Sequence, residues 1–427
     1  MRQLLHRAFI GATALATVGA MTACGGDEGG GPAATSSPTA SNEPVELTIS
    51  TFGEFGYEEL LEEYQTLHPN ITIKHEKAGQ GGPHHQELVT KLASGSGVAD
   101  VTAIEEGHLS KFLGRPQLFN NLADAAPKER WLDWKYEAAR AKDGSVIGLG
   151  TDIGPLAMCY RQDLLQAAGL PSDPEGVKAL FATWDSYFAA GDQFVASGGG
   201  KAWFDSASQI FNAMVNQLPA GYVDKDDKLL IESNSGIKQA WDKVTSAVGR
   251  NQSAKLIAFS NEWNTGFKAG AFATKTCPAW MLGVIKEQAG PENAGKWAVS
   301  EAFPNGGGNW GGSYLTVPKQ SKHVKEATDL AVWLTAPEQQ IKAFKAKGTF
   351  PSQTEALKSS ELLTSTNDYF GGIKDGELFA KMAEKVGPAQ YKGTGDGEVQ
   401  ENAISPALQA VEQGTSSDEG WAQAVDP

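Results

Sequence analysis

From Val45 the apolar positions follow two rhythms in turn. "VELTIS" alternates with a period of two, and "YEELLEEYQTLHPN" sets Tyr57, Leu60, Leu61, Tyr64 and Leu67 on one face at helical spacing. "ITIKHE" then returns to alternation. Strand side chains point to two faces in turn, whereas helical ones repeat every 3.6 residues, so this stretch predicts the strand, helix and strand of a parallel unit. "QELVTKLASG" predicts a second helix stopped by Gly95, and "ADVTAI" the next buried strand. The two types keep alternating along the chain, which sets the fold class as α/β.

The stretch "SVIGLGTDIGPLAMCYRQDLLQAAGLP" carries two strand patterns separated by the glycine and proline of "TDIGP", followed by a short helix closed at Gly169 and Pro171. A break of that kind between strands, where a first domain is nearing completion, predicts a crossing between lobes. "FPNGGG", after the strand pattern "KWAVSEAF", predicts a second crossing. Beyond Trp310 come a strand in "SYLTVP", one helix over "VKEATDLAVWLTAPEQQIKAFKAKG", and a helix-rich tail after Thr354. On this reading residues 45–152 and 304–340 build the first lobe, and residues 153–303 and 341–427 the second.

The N-terminal end changes the picture. "MRQLLHR" carries Arg2 and Arg7 ahead of the uncharged run "AFIGATALATVGA", which is too short to span a bilayer and has the length of a secretory leader core. "MTAC" ends on Cys24 and resembles a bacterial lipobox, so residues 1–24 are expected to be a leader with a lipidated cysteine and the protein to sit outside the cell, anchored to the membrane. Residues 25–44, rich in Gly, Ser, Thr and Pro, offer little to bury and are expected to stay disordered. The 404 residues from Cys24 onward exceed what one hydrophobic core usually supports, so two domains are expected. A formal charge of −15, more negative still without the two leader arginines, gives no grip on a phosphate backbone and argues against nucleic acid. Only Cys159 and Cys277 remain in the body. Both lie in buried strand patterns, "LAMCY" and "FATKTC", which can lie side by side and form one disulfide; the alternative is two unpaired buried thiols.

Enzyme motifs fail on context. Gly306, Gly308 and Gly311 match the spacing of a dinucleotide loop, yet "SYLTVP" after them reads as a strand where that loop needs a helix. No P-loop and no nucleophile elbow occur. His84, His85 and Glu87 do not have the spacing of a zinc site. No metal and no cofactor are expected, and paired carboxylates leave a glycosidase as the enzymatic alternative.

The order of leader, linker, "ELTIS" with "FGEFGYEELLEEY", "ADVTAIEEG", "AMCYRQDLLQAAGLP", "EWNTGFKAGAFATKTCPAWMLG", "GGNWGGSYLTVP" and "VWLTAPEQQ" with "FPSQ" resembles the extracellular solute-binding lipoproteins of sugar ABC transporters. "CPAWMLG" with "GGNWGGS" is most similar to the subgroup serving cellobiose and related β-glucosides. The resemblance implies a two-lobe periplasmic-binding-protein-like fold of type II, with a central, mostly parallel sheet in each lobe. It also implies a monomer that closes on an oligosaccharide and delivers it to a membrane permease; within the binding class the alternative is a receptor for another solute, such as a different oligosaccharide, a peptide or a metal chelate. A sugar has apolar C–H faces and a hydroxyl edge, so its site needs flat aromatic surfaces and fixed acceptors. By position in the pattern, Glu54, Phe55 and Glu105 fall at carboxyl ends of strands, where such sheets bind ligands, and Asp152 falls at the hinge. Trp280 is expected as a stacking wall from the second lobe and Trp310 as one from the first, with the amides of Gly311 and Gly312 nearby and Asp205 as a further candidate. Each has a plain structural alternative: a helix-terminal charge for Glu54, solvated loop charges for Glu105 and Glu106, a turn cap for Asp152, core for Trp280, and a hinge plug for Trp310. Trp241, Trp263 and Trp333 sit in helical patterns and are expected in the core.

Overall fold

Residues 43–387 and 389–426 are described by the structure, a computed structural model. The expected leader with Cys24 and residues 25–42 of the expected linker lie outside them. The first unit forms as β1 (Val45–Phe52), α1 (Glu58–Leu67) and β2 (Ile71–Ala78), with β1 and β2 in parallel register from Val45↔Ile71 to Phe52↔Ala78. Glu58 and Glu59 open α1, where the helix dipole favours carboxylates, and Leu60, Leu61 and Tyr64 are buried. Leu67, at the end of the stripe, lies beyond the contact and is exposed. α2 (Gly81–Ser94) ends on Gly95 in the left-handed region, as a helix-stopping glycine should.

β3 (Val101–Glu105) runs parallel to β1, and α3 (Glu106–Leu113) follows it directly. β4 (Leu149–Gly150) and β10 (Ser313–Thr316) complete the first sheet in the order β2-β1-β3-β10-β4. The second sheet has the order β7-β8-β6-β9, from β6 (Leu156–Arg161), β7 (Ala202–Phe204), β8 (Phe272–Pro278) and β9 (Trp297–Ser300). β10 is antiparallel to β3 and β4, and β6 is antiparallel to β8 and β9. Both sheets are therefore mixed, where mostly parallel ones were expected. The reason lies in the crossings: β6 and β10 enter from the other lobe, so no covering helix obliges them to run with their neighbours.

Buried apolar side chains form two clusters. Leu47, Ile49, Val101, Ile104, Leu149 and Leu315 belong to one; Leu156, Met158, Trp203, Trp241, Trp263 and Trp297 belong to the other. Large apolar side chains contribute about 1.5–3 kcal/mol each when fully buried, so each lobe has its own source of stability. Cys159 of β6 and Cys277 of the adjacent β8 are joined by a disulfide, with their Cα atoms 5.5 Å apart. The stretch expected as one long helix is two, Val324–Leu334 and Pro337–Lys347. Pro337 has no N–H to continue the first, and it holds Ala336 extended at ψ 156. The second of these helices spans the lobes, with Ala343 in one core and Ile341 and Phe344 in the other.

Candidate functional site: a cleft between two lobes

The hinge is built first, since it aims the rest. β5 (Asp152–Ile153) pairs antiparallel with β11 (Phe350–Pro351), a third crossing beyond the two that glycine and proline mark. On its other side the Trp310 N–H donates to the Gly154 carbonyl at 2.8 Å and the Leu156 N–H to the Gly308 carbonyl at 2.9 Å. A Cβ on Gly154 would stand 1.8 Å from the Trp310 carbonyl oxygen, so only glycine lets these strands approach. Asn309 fastens the junction: its Oδ1 accepts from Gly154 N–H at 2.8 Å, and its Nδ2 donates to Glu106 Oε2 at 2.9 Å and to the Gly311 carbonyl at 3.0 Å. Gly311 and Gly312 have φ of +78 and +101, and a Cβ on Gly312 would meet the Asp152 carbonyl at 2.4 Å. Glycines frame Trp310 because the backbone there turns left-handed against a neighbouring strand.

Between the lobes lies a cleft of about 920 Å³. Glu54, Phe55, Glu105, Asp152, Trp280, Trp310, Gly311 and Gly312 all line it. Asp205 does not. It is fully buried behind the second-lobe wall, where its Oδ2 lies 2.9 Å from Lys275 Nζ and accepts from Trp263 Nε1 at 2.7 Å, while Lys275 donates to Gln209 Oε1 at 2.6 Å. Lys275 sits inside a strand that is buried along its whole length, so its charge needs a buried partner. Trp263 and Trp241 are core residues, as expected, and Trp333 packs partly buried against the first-lobe core.

The first-lobe candidates also have structural partners. Glu54 pairs with Lys77 at 2.5 Å and Lys347 at 2.9 Å; partial burial would raise its carboxyl pKa, but the two lysines outweigh that and hold it below the usual range. Glu105 caps α3, its Oε2 accepting from Gly107 N–H at 2.6 Å. Asp152 accepts from Thr151 Oγ1 at 2.6 Å and Ser313 N–H at 2.9 Å, and burial raises its pKa against the opposing charge of Lys135. Lys135 is itself fully buried, its ammonium 3.8 Å from the Tyr314 ring centroid, and burial lowers its pKa. Phe55 is mostly buried and meets Phe52 edge-on.

Trp280 and Trp310 cross at 88° with centroids 6.2 Å apart, and Trp280 Nε1 donates to the Trp310 carbonyl at 3.1 Å. Both pack against the second-lobe core, so Trp310 reaches across the hinge where a first-lobe wall was expected. The reason is its backbone bond to Gly154, which turns the ring toward Trp280 and Lys275.

Several lining residues went unread in the sequence. Phe259 lies near-parallel to Trp280, and Lys392, Asp396, Gln400 and Glu401 come from the helix-rich tail. The lobes also touch across the cleft. Gln80 Nε2 donates to the Phe259 carbonyl at 3.4 Å, Ser110 Oγ to the Gly393 carbonyl at 2.7 Å, and Lys111 Nζ meets Glu398 at 2.5 Å. His108 Nε2 lies 3.2 Å from Glu401 Oε1. The histidine pair has backbone duties: His84 Nε2 bonds the Ala103 carbonyl, and His85 holds the Gly81 carbonyl through Nδ1 and accepts the Glu105 N–H at Nε2.

A cleft between lobes, with aromatic faces on one side and hydrogen-bonding groups on the other, is suited to holding a small polar ligand. Residues 59–369 match the profile of a family described as bacterial extracellular solute-binding protein. The chain is 30% identical over 354 residues to the arabinooligosaccharide-binding protein of Bacillus subtilis strain 168, covering 76% of this chain and 78% of that one. It is 28% identical over 375 residues to the lactose-binding protein of Rhizobium radiobacter, covering 84% and 86%. Among solved structures, an extracellular solute-binding protein of family 1 superposes with a TM-score of 0.80 at 48% identity, over 90% of this chain and 98% of that one. The chain thus belongs to the bacterial extracellular solute-binding proteins.

Proposed function

We propose that this protein is the extracellular receptor of an ABC importer, capturing an oligosaccharide between its lobes and presenting the closed form to the membrane permease. The observation that carries this reading is the pair of crossed indoles, Trp280 and Trp310, facing a first-lobe wall of hydrogen-bonding groups across a cleft of about 920 Å³. Sugar C–H faces stack on such rings, and sugar hydroxyls find acceptors opposite. The names of the two curated relatives support the oligosaccharide class. Within that class we propose cellobiose or a cello-oligosaccharide, on the resemblance of "CPAWMLG" and "GGNWGGS". Cys24 supplies the lipid anchor and residues 25–44 the tether, and the body acts as a monomer. Ligand contacts made by both lobes favour the closed form, because a ligand shifts a conformational equilibrium only by binding one state better.

Titration of the chain without residues 1–24 tests this, following tryptophan fluorescence and heat with cellobiose, cellotriose, lactose, arabinotriose, maltose, xylobiose and glucose. Saturable binding of a β-1,4-glucoside, weakened about ten-fold or more by Trp280→Ala or Trp310→Ala, is the expected result. Binding of another member of the panel keeps the receptor and changes its sugar. Hydrolysis of any of them overturns the receptor reading.

A further inference from the structure

The loop at residues 251–260 holds a conformation that its residues do not favour. Among the described residues five non-glycine residues have positive φ, and Asp227, Asn251 and Asn305 are of the types that tolerate it. The other two, Lys255 at φ 58 and Phe259 at φ 65, both lie in this loop, and a bulky side chain there is an outlier. The loop is pinned from outside. Ala254 N–H donates to the Phe204 carbonyl at 2.8 Å and Leu256 N–H to the Asp205 carbonyl at 3.1 Å. Ser260 then caps the helix Asn261–Ala269, its Oγ accepting the Trp263 N–H at 3.2 Å. Strain of this kind persists where surroundings over-determine the backbone, and it gathers at functional sites.

The strain places one ring. Phe259 is 42% exposed, lines the cleft, and lies 5.0 Å from Trp263 and 6.5 Å from Trp280, with its plane 25° from that of Trp280. Its carbonyl receives Gln80 from the facing lobe, so the ring sits where the lobes meet. The ring rests on Trp263 yet stays partly open to water on an unfavourable backbone, and it continues the face of Trp280 at a spacing of the order of one sugar ring.

Resting on the oligosaccharide reading, we infer that Phe259 contacts the ligand and forms, beside Trp280, an outer stacking surface that recognises a further sugar ring. Phe259 then sets the preference for chain length, and the inner indoles set the preference for a sugar at all.

The test titrates wild-type and Phe259→Ala protein with β-1,4-gluco-oligosaccharides of two to five units and with arabino-oligosaccharides of the same lengths. In the wild type, affinity should rise with length. Phe259→Ala should weaken trimers and longer chains by about ten-fold and the dimer by less than two-fold, with Phe259→Trp restoring the gain. Equal loss at every length, or none at any, overturns the outer surface while leaving the receptor standing. Absence of binding to the wild type across both series overturns the oligosaccharide reading and this inference with it. Thermal unfolding gives a ligand-free check: Phe259→Gly relieves the backbone and should melt no lower than wild type. A clear fall in Tm would make the ring a packing residue and overturn the inference.

Discussion

The two walls of the cleft differ in chemistry and in what holds them up. On the first-lobe side the polar residues are held by short local partners: Glu54 by Lys77 and Lys347, Glu105 by the amide of the helix it caps, and Asp152 by Thr151 and the Ser313 amide. On the second-lobe side the aromatic faces rest on a buried polar group in which Asp205 Oδ2 holds Lys275 and the Trp263 indole N–H, and Lys275 donates to Gln209. The first wall is therefore set group by group at strand ends and at the hinge, whereas the second is fixed by its core. A receptor that closes on its ligand gains from that asymmetry, since one platform orients the sugar and separately held groups hydrogen-bond to it.

Removing the support of the rigid wall is the strongest way to break this comparison. Asp205→Ala leaves the Lys275 ammonium buried without a counter-charge and the Trp263 indole N–H without its acceptor. Unfolding free energy measured in denaturant should fall by about 3–5 kcal/mol. A loss below ~1 kcal/mol would show that the platform stands without its ion pair. The disulfide is the next lever. Cys159→Ser with Cys277→Ser opens a cross-link between residues 118 apart in sequence and should cost about 2–4 kcal/mol. Amide exchange should rise in β6 and β8 while β1 to β3 keep their protection; an even rise in both lobes would mean that the lobes do not carry separate stabilities.

A third change sharpens the comparison through pH. Glu412 lies on the helix Ser405–Glu412 behind the same wall, accepting from Ala207 N–H at 2.7 Å and from Ser253 Oγ, and burial pushes its carboxyl up to about 7 against these bonds, with Asp205 adding to the rise. A raised folded pKa means that the folded state holds a proton the unfolded chain has released. The stabilisation is present below the ordinary carboxylate pKa and is lost as pH rises through about 7. Unfolding free energy should fall by an amount on the order of 2 kcal/mol between pH 5.5 and 8, and Glu412→Gln should flatten that slope. A slope unchanged in the variant would assign the pH dependence elsewhere.

Much of this organisation was legible because it rests on local rules. The period of two in β1 and β2, the helical stripe of α1 and the stop at Gly95 each follow from neighbours in sequence. The glycine-marked crossings at Gly154 and near Trp310 were legible for the same reason. The third crossing was not, since Phe350–Pro351 is two residues long and no periodicity can announce it. Asp205 was read as a cleft candidate because sequence shows a carboxylate but not its depth. The available signal was Lys275 inside the buried strand pattern "FATKTCP", which calls for an acid nearby. Phe259 and the tail residues from Lys392 to Glu401 join the cleft only through tertiary packing. The one hint was an apolar Phe259 directly before a helix-capping serine.

The last and smallest expected effect concerns how the first-lobe wall meets the other lobe. His108 of α3 stacks on His85, with centroids 4.0 Å apart and planes 12° from parallel, and reaches Glu401 across the cleft. Burial alone would lower its pKa, but the Glu401 hydrogen bond and the charges of Glu105, Glu401 and Glu398 outweigh it and hold the ring above the usual imidazole value. His84 and Lys111 also stand close by, and burial keeps His85 well below that value, so His108 carries the proton of the stack. The cross-lobe contact is therefore strongest below the ordinary imidazole pKa and is lost as pH rises through the raised one. Glu401 is 44% exposed, so solvent screening limits the pair to at most ~1 kcal/mol, or about five-fold in affinity. Ligand affinity should thus be a few-fold tighter at pH 6 than at pH 8.5, and His108→Gln should remove the difference while leaving affinity at high pH unchanged. A pH dependence that survives His108→Gln and Glu401→Gln alike would place the proton on another group and leave this contact with a purely steric part in closure.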